Sequence, residues 1–211
     1  MSAYTQQEEL EKLKVWWKEY GTSMVVGVAL GVTALVGYRY WTQYQETQRE
    51  TASAMYEQLV VDLRTKQQQS ARDVGQKLIG EHAGTPYAGM AALLLARQAY
   101  EAGDKAAARQ HLEWAVTHGK GDATRHAARL RLGRLLLDSG DAKGAAAAMD
   151  VKDIAGFEAE YHELRGDIAL AQNDKTAARK EYQEALAALR PDSAYRNTLS
   201  LKLDDLGAEK P

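Results

Sequence analysis

Hydrophobic and polar positions follow two different rules along the chain. From Tyr20 to Tyr38, nineteen residues run without a charge. Beyond Glu50 the apolar residues instead recur at three- and four-residue steps, in short stretches broken by Gly-Asp and Asn-Asp pairs. The first rule predicts one long apolar helix and the second predicts a series of short amphipathic ones. Alternating Val/Ile/Thr runs and Asn-Gly hairpins are not found, so strands are not expected.

A helix that crosses a membrane needs about 20 mostly apolar residues, since each advances ~1.5 Å through a ~30 Å hydrocarbon layer. Trp16, Trp17 and Tyr20 flank one end of the uncharged run, and Tyr38, Tyr40 and Trp41 the other. Amphipathic rings favour the headgroup level, so two aromatic belts at this separation predict a full crossing. A buried core helix explains neither the length nor the belts. A cleavable signal peptide has a short basic start and a small-residue site just past its apolar core. Here Glu8, Glu9, Glu11 and Glu19 precede the run and bulky "YRYWTQY" follows it. The stretch 20–41 is therefore read as an uncleaved signal anchor. Segment 1–19, with Leu10, Leu13, Trp17 and Tyr20 on one face, is read as a short amphipathic helix on the cytoplasmic side, with a simple extension of the membrane helix as the competing reading. Lys12, Lys14 and Lys18 before the span outnumber Arg39 and Arg49 after it, which leans toward an inside N-terminus. The C-terminal part would then lie in the periplasm of a Gram-negative cell. Gly27 and Gly31 form a GxxxG pair, which suits close approach of a second helix. Such pairs also arise by chance in apolar spans, and both readings stand.

After a linker at 42–50, the domain expected over 51–206 repeats itself. Leu93–Val116, Leu130–Met149 and Leu164–Leu186 each read as helix, turn and alanine-rich helix. The turns fall at Gly103-Asp104, Gly140-Asp141 and Asn173-Asp174, spaced by 37 and 33 residues. That is near the ~34 of a tetratricopeptide repeat. Gly or Asn can close the first helix in the left-handed conformation, and Asp can cap the second. Small residues (Ala96, Gly133, Gly166; Ala108, Ala145, Ala178) are expected where paired helices cross, with Leu112, Met149 and Tyr182 as larger partners. A weaker pair is expected at Thr51–Arg64 and Ala71–Glu81, before "GTPYAG". A terminal cap is expected at Asp192–Leu206, with a tail at 207–211. "MDVKDIAGF" replaces a long second helix in the middle repeat. The expectation is an all-α chain: one N-terminal transmembrane helix followed by a tetratricopeptide-like superhelix.

Composition changes this picture little. The 211 residues allow one domain plus an appendage. Without cysteine there is no disulfide or thiol chemistry. The net charge of −2, and 23 basic against 25 acidic residues beyond Trp41, give no reason to expect nucleic-acid binding. No HExxH, GxSxG, Walker or dinucleotide loop occurs, so no enzyme activity, metal or cofactor is expected. The five histidines, His82, His111, His118, His126 and His162, read as ordinary surface or half-buried residues. Arg125, Arg129, Arg131 and Arg134 make one helix locally basic, read as a solvated face. Repeat geometry turns Arg97, Tyr100, Arg134 and Leu137 toward the concave side. An arginine-and-aromatic surface there suits polypeptide binding. Contact with the neighbouring repeat is the competing reading, held equal.

With "VGVALGVTALVGYRYW" in the span and "ELRGDIALAQNDKTAARKEYQEAL" near the end, nearly the whole chain resembles the YfgM family. The resemblance implies an inner-membrane protein with a cytoplasmic N-terminus and a periplasmic tetratricopeptide-like domain. It implies an ancillary subunit of the SecYEG translocon, paired with the membrane-anchored chaperone PpiD and serving newly exported polypeptides. It also implies a link between the N-terminal segment and cytoplasmic stress signalling, and it brings no catalytic residues. An adaptor for another envelope machine, in cell division or outer-membrane assembly, is the alternative of a different class.

Overall fold

The computed structural model of the chain describes residues 3–207, with side chains from Glu8 onward. The start of segment 1–19 and the tail beyond Gly207 lie outside the described residues. All regular structure among the described residues is helical: α1 (Ala3–Arg64), α2 (Gln68–Glu81), α3 (Pro86–Glu101), α4 (Lys105–His118), α5 (Asp122–Asp138), α6 (Ala142–Ala148), α7 (Glu158–Ala171), α8 (Lys175–Ala188) and α9 (Tyr195–Asp205). Two compact units divide at Glu50 and Thr51, within α1. Residues 42–50 are helical.

In the first unit, Val25, Leu30, Val32, Leu35 and Trp41 are each more than half exposed. Burying apolar surface stabilises by roughly 25 cal/mol per Å², so a helix apolar on every face needs a non-aqueous surrounding. It is the one helix among the described residues long and apolar enough to cross a membrane. The hydroxyl of Thr33 donates to the Ala29 carbonyl at 2.8 Å, which satisfies it inside its own helix, as hydrocarbon would demand.

The second unit is a stack of helix pairs. Gly103, Gly140 and Asn173 take left-handed φ of 82°, 79° and 64°. Behind each, two amides turn back onto the ending helix, as with Asp104 N–H to Ala99 and Gly103 N–H to Tyr100 (both 2.9 Å). Asp104, Asp141 and Asp174 then accept from the N–H of Ala107, Gly144 and Ala177 at 2.9, 2.8 and 2.9 Å. The three expected turns are thus built by the expected residues. α9 begins at Tyr195, three residues after the expected start of the cap, because Pro191 to Ser193 form the turn, with Ser193 N–H on the Arg190 carbonyl at 3.1 Å.

Packing follows the small-against-large offsets. A Cβ on Gly133 would lie 2.8 Å from Met149 Cε, and one on Gly166 would overlap the Tyr182 ring. Ala108, Ala145 and Ala178 are fully buried, and Leu112, Met149 and Tyr182 fill the spaces beside them. The middle repeat is irregular as expected: α6 has seven residues. Val151, Ile154 and Phe157 from the replacing stretch pack onto the central core, and Phe157 stacks on buried His126 at 4.8 Å. Side-chain packing there takes the place of the missing helix turns. The first pair, α1 from Thr51 with α2, shares a core of Ala52, Leu59, Ala71, Leu78, Ala91 and Leu95 with α3.

Candidate polypeptide-binding groove

α3 and α5, the first helices of successive pairs, flank a groove of about 410 Å³. Leu93, Ala96, Ala108, Leu112 and Leu135 give it an apolar lining. Ala96 and Ala108 stop at Cβ, which leaves depth that larger residues would fill. Charge and one aromatic ring line the rest: Arg97 and Tyr100 from α3, Arg131, Arg134 and Asp138 from α5. Arg97 and Arg134 each stand six residues before their turn glycine, so the repeat brings equivalent positions together.

The polar groups differ in how fully they are engaged. Arg97 Nε is 2.7 Å from Glu101 Oε1, one turn away. Asp138 Oδ2 receives Lys105 Nζ at 2.7 Å and the Tyr100 hydroxyl at 3.2 Å. The hydrogen bond from Lys105, then that from Tyr100, hold the Asp138 carboxyl below its ordinary range. Arg131 has no partner among the described residues. Arg134 approaches Glu163 Oε2 only to 3.7 Å. That carboxylate is already satisfied: Tyr195 donates to Oε2 and Lys202 to Oε1, both at 2.7 Å. Lys202 also reaches Asp167 Oδ1 at 2.7 Å, which in turn accepts from Tyr182 at 2.7 Å. These contacts tie α7, α8 and α9 into one polar latch.

Three of the four sequence-selected residues, Arg97, Tyr100 and Arg134, therefore meet at one groove. Tyr100 is 47% exposed there. Leu137 shares the offset of Tyr100 but does not line the groove; it is half-buried and packs against the central core. Arg131 and Asp138 line the groove and were not among the selected residues. Arg131 sits three residues before Arg134 on one helix face, a spacing visible in the sequence. A smaller groove of about 340 Å³ lies between α1 and α3, lined by Val60, Leu63, Arg64 and Leu94, and Arg97 borders both. In the first unit, nothing stands within 4 Å of a Cβ placed on Gly27 or Gly31, so that face of the helix is open.

His126, His162 and His118 are engaged locally. His126 Nδ1 is 2.9 Å from the Tyr161 hydroxyl, His162 Nδ1 is 2.8 Å from Glu181, and His118 stacks on Trp114. Burial pulls the His111 imidazole below its ordinary value, against the opposing charge of Asp104. Among the described residues no three His, Asp or Glu side chains are grouped to hold a metal.

The sequence model of the tetratricopeptide repeat-like domain matches residues 14–208. Proteins named ancillary SecYEG translocon subunit are similar over most of their length. The one from Neisseria gonorrhoeae is 31% identical over 95% of this chain and 97% of its own. The one from Haemophilus influenzae is 31% identical over 85% and 88%, and the one from Escherichia coli 27% identical over 95% and 96%. With a repeat-domain model that matches from the anchor to the last helix and relatives similar over most of the chain, the chain belongs to the YfgM family of tetratricopeptide repeat-like proteins.

Proposed function

We propose that this protein is a non-catalytic, membrane-anchored subunit of the SecYEG translocon, which holds its repeat domain where exported polypeptides emerge. The proposed layout is a cytoplasmic segment at 1–19, a signal anchor at 20–41, a link at 42–50, a periplasmic repeat domain at 51–206 and a tail at 207–211. The domain works there with a PpiD-like chaperone. The observation that carries this reading is the α3–α5 groove, an apolar trough with an exposed tyrosine and arginines beside it. Binding energy at polypeptide interfaces concentrates on such anchors. The names of the relatives supply the machine. In this reading the open Gly27/Gly31 face packs against a helix of the translocon or of the chaperone.

The test is a photocrosslinker at Arg97 in the full chain in native membranes. Adducts should form with translocon, PpiD-like or exported polypeptides, and Tyr100→Ala/Arg134→Ala should weaken them severalfold. Membrane association and the helical circular dichroism should be unchanged, because neither residue is in the core. Normal crosslinking by the double variant would remove the groove as the binding surface. Adducts only with division or outer-membrane assembly proteins would assign the domain to another machine.

A further inference from the structure

The groove described above carries a bias of charge as well as of shape. Of its four charged residues, two are committed. Arg97 is matched by Glu101 at 2.7 Å, and Asp138 by Lys105 at 2.7 Å with Tyr100 at 3.2 Å. The other two, Arg131 and Arg134, share one face of α5. Arg131 has no partner among the described residues. Arg134 has only the 3.7 Å approach to Glu163, and its side chain is 48% exposed. Stranding a buried carboxylate is costly, and the Glu163 side chain is only 6% exposed. Tyr195 and Lys202 already satisfy both of its oxygens at 2.7 Å. Arg134 is therefore free to turn to a new partner without leaving Glu163 unpaired.

Two guanidiniums without strong partners, beside an apolar floor, favour one chemistry. A carboxylate set against Arg131 and Arg134 would gain charge-assisted, two-pronged hydrogen bonds. A lysine or arginine there would meet two like charges, with the only acid of the groove already neutralised. A plain anion would leave Leu93, Leu112 and Leu135 unused. We infer that the α3–α5 groove selects internal polypeptide segments in which glutamate or aspartate side chains lie beside leucine-like ones, with Arg131 and Arg134 taking the carboxylate. This deepens the proposed polypeptide-binding role and rests on it.

Full-length protein in nanodiscs and three fluorescent peptides, acetylated and amidated so that no terminal carboxylate or amine contributes, test the selection. The probes are "SELLEELG", "SKLLKKLG" and "SESSEESG", read by anisotropy. The first should bind at least roughly tenfold more tightly than the other two. Arg131→Gln/Arg134→Gln should abolish the preference for glutamate over lysine, and Arg131→Glu/Arg134→Glu should reverse it. Arg72→Glu/Arg190→Glu makes the same charge change outside the groove and should alter nothing. Circular dichroism melts check that the variants stay folded. Equal binding of the glutamate and lysine peptides would overturn the charge selection and leave the polypeptide-binding role intact. Binding of "SESSEESG" as tight as that of "SELLEELG", both displaced by millimolar inorganic phosphate, would overturn it in favour of a simple anion site. Binding of no peptide, together with crosslinking unaffected by Tyr100→Ala/Arg134→Ala, would remove the groove reading altogether.

Discussion

Lys66 is held at a φ of 60°, between α1 and α2, where the other hairpins carry Gly103, Gly140 and Asn173. Its N–H returns to the Leu63 carbonyl at 3.3 Å and that of Gln67 to Asp62 at 2.8 Å, so the backbone turn is the same as in the later pairs. The chemistry is poorer: a side chain with a Cβ is strained in the left-handed region by about 1–2 kcal/mol, and Gln67 makes no capping bond. Asp62 compensates. It is buried, and its two oxygens accept from Gln58 and Ser70, both at 2.6 Å, pinning α1 to α2. Replacing Lys66 with glycine should remove the strain and give up part of that gain to chain entropy. Thermal unfolding of the solubilised protein should show a net stabilisation of about 0.5–1 kcal/mol. Gly103→Ala is the opposite change and should destabilise by ~1 kcal/mol. This is also why the first hairpin reads weakly in the sequence: Lys66-Gln67 stands where the others signal Gly-Asp or Asn-Asp.

Between elements, the pattern of small and large residues decides how closely helices pack. Ala178 on α8 is fully buried, whereas Ala187 on the same helix is exposed. Ala178→Leu should overpack the last pair and lower stability by ~1–3 kcal/mol, while Ala187→Leu should stay within ~0.5 kcal/mol. Equal shifts in melting temperature would mean that the helices cross elsewhere. Crossings of this kind were legible, because Gly133 and Gly166 repeat at the spacing of the turns. Half of the groove was legible for the same reason: Arg97 and Arg134 occupy one repeat position. Arg131 looked like one more solvated arginine until α3 came beside it. Leu137 shares the repeat position of Tyr100, but Ala171 stands in the next pair where Asp138 receives Tyr100, and the apolar Leu137 side chain joins the core. The polar latch had no sequence signal. Its bonds join residues 15 to 39 apart, and no periodicity marks Glu163 as the acid of α7 to be buried.

At the scale of the whole repeat domain, each pair is stabilised by its neighbours, so the last one needs a lid. α9 provides it, with Leu199 and Leu206 closing the apolar cluster of Ala169, Ala178, Tyr182 and Ala185. The lid is fixed by charge as well. Burial pulls the Lys202 ammonium down, but hydrogen bonds to Asp167 and Glu163, and their charges, outweigh it and raise the group overall. Burial first, then the hydrogen bond to Glu163, push the Tyr195 phenol up to about 12. Burial and Asp167 push Tyr182 up further. All three shifts have the same consequence. The folded state keeps protons that the unfolded chain releases above pH ~10, so stability is fully present below that pH and falls as pH rises through the folded values. Melting temperatures measured from neutral pH to beyond pH ~11 should therefore drop steeply above pH ~10. Lys202→Met leaves Glu163 and Asp167 without their shared cation, and at neutral pH should cost about 1–3 kcal/mol, tempered by the solvent that reaches the pair. Lys202→Met/Tyr195→Phe removes two of the latch's three shifted groups, so its alkaline decline should be shallower than that of the unaltered protein, with Tyr182 in the latch and Tyr56 and Lys105 outside it, both also raised, left to give the residual slope. A parallel decline in both proteins would show that the latch's titrating groups do not hold the last helix, which would then rest on Leu199, Leu203 and Leu206 and on the bonds from Arg196 to the Leu186 and Leu189 carbonyls.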